Sequence, residues 1–160
     1  MRPQMKSVPM EELAPMIEGL IKEGVDVTLT VTGNSMRPLW TTHRDSVVLT
    51  GCDPCALKKG DVPLYRRDDG KYILHRIIKV HETTYDMIGD HQYEVEYGVN
   101  KQNIICVVKA FTRKGKQHTC DELGYRFYTW VWCHSVPFRR FMLWLHRLPL
   151  RLFKRKKAQD

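Results

Sequence analysis

A chain of 160 residues, 42% hydrophobic and 28% charged, has enough apolar material for one domain with a real core. It is too short for two comfortable domains, and its balance excludes wholesale disorder. The formal net charge of +8 is concentrated at one end: from Phe138 onward eight lysines and arginines face one acid, Asp160, leaving 18 of the 26 bases and 17 of the 18 acids in a nearly neutral body. A body this close to neutral ranks nucleic-acid binding well below the other readings, because it carries no broad basic footprint for a phosphate backbone.

The chain opens with a helical pattern assigned to residues 1–24. Ser7 is a plausible N-cap, Pro9 lies in the first turn, and Met10, Leu13, Met16 or Ile17, Leu20 and Ile21 recur at helical spacing up to Gly24. Pro15 falls inside and is expected to kink the helix or delay its start. Residues 25–31 then alternate apolar and polar with period two, which predicts a half-buried strand ending at Gly33. Glycine there would let the chain turn sharply and present Ser35, with Pro38 keeping it from continuing as a helix.

Residues 46–50 predict a second strand, followed by a loop through Cys52 and Cys55. A hairpin follows, residues 61–67 and 71–80 around the turn Asp68-Asp69-Gly70. Pro63 cannot donate to a ladder, so the first of these strands is expected at a sheet edge. Residues 83–88 and 103–111 predict two further strands, the last closed by Lys114-Gly115-Lys116. Short strands separated by turn residues over 25–118 predict a mainly β fold, a coiled and partly closed barrel.

A different composition sets in over 119–160. Tyr125, Tyr128, Trp130, Trp132, Phe138, Phe141, Trp144 and Phe153 alternate with arginine and lysine. Phe138, Phe141 or Met142, Leu145, Leu148 and Leu152 share one helical face, while Pro137 and Pro149 divide the segment into short pieces. This predicts an amphipathic helical tail lying on an anionic membrane surface through residues 127–157, with packing on the core as the competing outcome. No stretch approaches the roughly 20 apolar residues that cross a bilayer.

Ser35 is the candidate nucleophile, and a serine hydroxyl needs a neighbouring base to attack anything. His75 interrupts an apolar run, and strand alternation groups it with Ile73 and Ile77 on a buried face. Metal binding is not expected: Cys52-x-x-Cys55 with His118, Cys120, Cys133 and His134 lacks a second ligand pair at zinc spacing, and no cofactor motif is present. Five cysteines, an odd number without a secretory signal, argue against a disulfide framework and for a reducing compartment.

Gly33-Asn34-Ser35-Met36-Arg37-Pro38, Lys59-Gly60-Asp61-Val62, Leu74-His75-Arg76-Ile77-Ile78 and Gly89-Asp90 stand in that order. Together they resemble four boxes of the signal peptidase I and LexA-like serine peptidases, over about residues 25 to 116. Histidine followed by arginine is similar to the Ser/His branch of that superfamily. The resemblance implies Ser35 as nucleophile, His75 as base, and Asp90 or Glu96 as the acid that orients the imidazole. Backbone N–H groups at Asn34 and Ser35 would form the oxyanion hole.

Three features depart from the family pattern: His91 to Glu96 in place of asparagines and then aspartate, Pro63 after Gly-Asp-Val, and no apolar anchor ahead of the core. The implied function is cleavage of a peptide or protein precursor, in the cytoplasm and peripheral to the inner membrane face. A non-catalytic module binding a membrane surface or a protein partner is the alternative. A self-cleaving DNA-bound regulator is disfavoured, since the residues before the core are too few for a helix-turn-helix.

Overall fold

A computed structural model describes residues 9–134. Helix α1 (Met10–Lys22) runs unbroken past Pro15, and Gly24 follows it with φ +77°, the left-handed geometry that glycine supplies after a helix end. Its inward face is Ala14 and Ile17, with Met10, Leu13 and Ile21 beside them, and Met16 points outward.

Nine strands follow: β1 (Val27–Thr30), β2 (Ser46–Thr50), β3 (Pro63–Arg66), β4 (Tyr72–Leu74), β5 (Arg76–Val80), β6 (Thr84–Ile88), β7 (Glu96–Asn100), β8 (Ile104–Arg113) and β9 (Lys116–Thr119). The larger sheet has the order β1-β2-β8-β3-β4, with β9 paired to β8, and the smaller is β5-β6-β7. All pairings are antiparallel. Bulges between Val48 and Leu49 and between Leu64 and Tyr65 bend the larger sheet into a curled half-barrel. Its concave face buries Val47, Leu49, Leu64, Cys106, Val108 and Phe111 against Ile17, Met36, Leu39 and Trp40. Tyr65, Ile77, Tyr85, Met87, Val99 and Ile104 form a second cluster that joins the two sheets.

The core thus matches the expected mainly β class, with four corrections in detail. First, β1 stops at Thr30, short of Gly33. Second, β3 is not an edge: it pairs with β8 on one side and β4 on the other. Pro63 is tolerated because it is the first residue, opposite Val107 of β8, while pairing with β4 begins only at Leu64. Third, residues 71–80 are two strands, β4 in the larger sheet and β5 in the smaller. The chain changes sheets at His75, and period-two alternation continues through the break without marking it. Fourth, β7 and β9 were not anticipated, since Glu96-Tyr97-Gly98-Val99-Asn100 and Lys116-Gln117-His118-Thr119 carry too few apolar residues to read as strands.

Helix α2 (Leu123–His134) closes the described chain. It is held by an ion pair buried beneath it. Arg76 Nε and NH2 donate to Asp90 at 2.8 and 2.7 Å, and Arg76 NH1 donates to Gly60 O, Thr129 Oγ1 and Tyr125 Oη. Tyr128 Oη donates to the Asp90 carboxylate and Trp132 Nε1 to its carbonyl. Gly60 is required here: φ is +103°, and a Cβ would lie 2.5 Å from the Thr129 methyl. The rest of the expected tail, residues 135–160, lies outside the described residues. No described helix is long and apolar enough to cross a membrane.

Candidate active site

Ser35 sits in a run of turns between β1 and β2. The run is anchored from below by buried Met36, Leu39 and Trp40, with Trp40 N donating to Met36 O. Its two ends are tied together: Val31 N donates to Asp45 O at 2.9 Å and His43 N to Val31 O at 2.8 Å. The Asp45 carboxylate accepts from Arg44, Thr41 N and Lys114 N, and the Arg44 bonds, outweighing burial, hold it down to about 2. The Thr42 hydroxyl lies 2.9 Å from Gly33 O and 3.0 Å from Asn34 Oδ1. Gly33 itself has no left-handed backbone angle, and a Cβ there would meet nothing within 4 Å. The sharp turn assigned to Gly33 is therefore made by the hydrogen bonds around it.

Beside Ser35 the glycine with a steric role is Gly89. A Cβ there would lie 2.7 Å from Ser35 O, and two residues on, His91 N donates to that same carbonyl at 2.7 Å. The Gly89-Asp90-His91 segment thus fixes the serine backbone from behind. Among the described residues neither the Asn34 nor the Ser35 N–H donates to a protein acceptor.

His75 is 2% exposed, at the seam where the chain leaves β4 for β5. Ser35 and His75 line one cavity of about 270 Å³, whose walls include Met10, Leu29, Val31 and Leu64. No hydrogen bond joins the two side chains in this structure.

Behind the imidazole lies a chain of partners. Tyr65 Oη is 3.3 Å from His75 Nδ1 and donates to Glu96 Oε2 at 2.6 Å. Arg67 in turn grips Glu96 through Nε and NH2, at 2.8 and 2.5 Å. Glu96 Oε2 stands 4.0 Å from His75 Nδ1. The hydrogen bonds assign the tautomer. Glu96 is ionised, because bonds from Arg67 and Tyr65 outweigh the burial that opposes charge and keep it below the usual carboxylate range. An ionised carboxylate only accepts, so the single Tyr65 proton is committed to it. Toward His75 the phenol oxygen is then left to accept, which places the imidazole proton on Nδ1 and the lone pair on Nε2. Burial pulls His75 down to about 4, against the opposing Glu96 charge, so the ring is a neutral base at pH 7. Burial, with Glu96 adding, pushes the Tyr65 phenol far above its ordinary range and keeps its proton in place.

Of the two acids offered by the sequence, Glu96 reaches the imidazole through Tyr65. Asp90 does not hydrogen-bond to it: both its carboxylate oxygens are taken by Arg76, and both side chains are fully buried. Asp90 acts on His75 only as a nearby charge. Tyr65 and Arg67 were missed by the sequence reading. A phenol within an apolar strand run was their one visible signal, and their partner Glu96 lies 31 and 29 residues away.

Among the described residues no group of three or more His, Cys, Asp or Glu could hold a metal ion. Cys52, Cys55, Cys106 and Cys120 are thiols outside any disulfide, and burial pushes Cys52 and Cys120 to about 11 and Cys106 to about 12, too high for ready thiolate chemistry. Neither the models of known protein families nor the curated protein sequences contain a match to this chain.

Proposed function

We propose that this chain is a serine endopeptidase that cleaves a peptide or protein precursor, with Ser35 as nucleophile and His75 as general base. The observation that carries this reading is the Ser35–His75 cavity backed by the Tyr65–Glu96–Arg67 chain, which leaves His75 neutral with its Nε2 lone pair unclaimed. The order of the Ser35, Gly60-Asp61, His75-Arg76 and Gly89-Asp90 boxes, which resembles the Ser/His branch of the signal peptidase and LexA-like peptidases, supports it independently.

In this mechanism Ser35 Oγ attacks the scissile carbonyl as His75 Nε2 takes its proton. The carbonyl oxygen becomes an oxyanion held by the Asn34 and Ser35 N–H groups, each well-placed donor worth roughly 3 to 4 kcal/mol of barrier. Positive charge on the imidazole is met by Tyr65 and, behind it, by Glu96. His75 then returns the proton to the leaving amine, and water, deprotonated by the same imidazole, releases the acyl group from Ser35.

The sheet order suggests how substrate is bound. β1 and β4 are the two ends of the half-barrel, and Leu29, Thr30, Tyr72 and Leu74, from those two edges, all line the cavity. An extended peptide adding to an open edge would run past Ser35 with alternate side chains directed at the apolar wall.

Cleavage of a mixed peptide library, read by mass spectrometry of new termini, tests the reading. The expected result is cleavage by wild type at sites preceded by apolar residues and none by Ser35→Ala or His75→Ala. Equal product from wild type and Ser35→Ala would refute it.

A further inference from the structure

The residues of α2 that face away from the core are more apolar than those of a solvated helix. Leu123, Phe127 and Trp130, at i, i+4 and i+7, are 82%, 67% and 60% exposed. The rings of Phe127 and Trp130 stack with centroids 6.4 Å apart, so the two present one continuous apolar surface. The opposite face makes the structural bonds through Tyr125, Tyr128, Thr129 and Trp132, so the outward stripe is not needed to hold the helix down. A stripe of this kind marks a surface built for contact.

Its surroundings say what kind of contact. Trp130 and Arg126 border a depression of about 650 Å³ shared with Lys58, Lys59 and His134. The loop lysines and Arg126 are exposed. Asp61 and Asp121 border it too, so three bases face two acids at the rim and a net positive charge of one remains there. The chain then leaves His134 toward residues 138–160, where eight lysines and arginines accompany one acid. An aromatic stripe rimmed by exposed bases and continued by a basic, aromatic segment has the chemistry of an anionic lipid surface: rings at headgroup depth, cations against phosphate and carboxylate.

We infer that α2 is a membrane-surface contact, lying flat on an anionic bilayer through Leu123, Phe127 and Trp130 with Lys58, Lys59 and Arg126 at the rim. The inference does not use Ser35 or His75, and stands apart from the peptidase reading. It also sharpens the expectation of a membrane-bound tail, because the contact begins on a helix that the Arg76–Asp90 pair fixes to the core.

Flotation of the full chain with vesicles of phosphatidylcholine, alone or mixed with phosphatidylserine, tests it. The expected result is co-flotation with the anionic vesicles, weakened by salt, and none with phosphatidylcholine alone. Phe127→Ser/Trp130→Ser, with the thermal unfolding of wild type, should lower the bound fraction about tenfold. Should that variant fail to fold, Lys58→Glu/Lys59→Glu on the exposed loop should weaken binding in the same direction. Wild type that stays with the soluble fraction, equal flotation with both vesicles, or folded variants that float like wild type would each overturn it. A dimer that Phe127→Ser/Trp130→Ser dissociates, with no vesicle binding, would overturn it in favour of a second copy of the chain.

Discussion

Tyr65 has one proton and two neighbours that bear on it, Glu96 at 2.6 Å and His75 at 3.3 Å, and the ionised carboxylate takes it. The consequence is a base oriented by a phenol, with the carboxylate one step further back. Tyr65→Phe removes the acceptor from Nδ1–H without emptying the core, and should lower kcat by about ten- to a hundredfold with KM nearly unchanged, measured on a cleaved peptide. A proportionate rise in KM instead would mark Tyr65 as a substrate contact. The pH dependence follows from His75. Its folded pKa of about 4 lies below its ordinary 6.5, so the neutral base is present above about 4 and activity should rise with pH through that value. Glu96 is the charge that favours protonation, so Glu96→Gln should move this acid limb lower still. The same shift makes the unfolded chain bind more protons than the folded one between about 4 and 6.5. Stability is therefore intact above 6.5 and declines as pH falls through that window, a slope that His75→Asn should flatten in urea titrations. Asp90→Asn should behave differently from every site variant, because it strands a buried guanidinium. A loss of about 3 to 5 kcal/mol of stability is expected, seen as a lower denaturation midpoint.

Elements set these residues in place by two close approaches. Gly89 lets the segment after β6 lie against the Ser35 carbonyl, and Gly60 lets the loop before β3 lie under α2. Gly89→Ala must push Ser35 by the overlap at 2.7 Å, and should cut the rate of acylation by a serine-reactive probe far more than it lowers the melting temperature. The strands with alternating apolar residues were legible in the sequence because one face of each is buried. β7 and β9 are polar and borrow their order from β6 and β8, and the passage from β4 to β5 at His75 keeps the alternation intact while changing sheets. The order of the boxes pointed to Ser35 and His75 as partners, and they do share a cavity. The choice between Asp90 and Glu96 was not legible, since it depends on which arginine each carboxylate meets: Arg76 for the first, Arg67 for the second.

The described residues form a curled half-barrel whose two end strands, β1 and β4, border the serine, with α2 bolted behind it through the Arg76–Asp90 pair. The proposed substrate edge and the proposed surface contact thus lie on different elements, the end strands β1 and β4 for the first and α2 for the second. The central claim is that Ser35 attacks with His75 as its base. Its most direct test is reaction of the folded protein with a fluorophosphonate, followed by mass spectrometric mapping of the modified peptide. Modification is expected at Ser35, abolished in Ser35→Ala and strongly slowed in His75→Ala with both variants folded. Unmodified Ser35 in folded wild type, or equal labelling of wild type and His75→Ala, would contradict it.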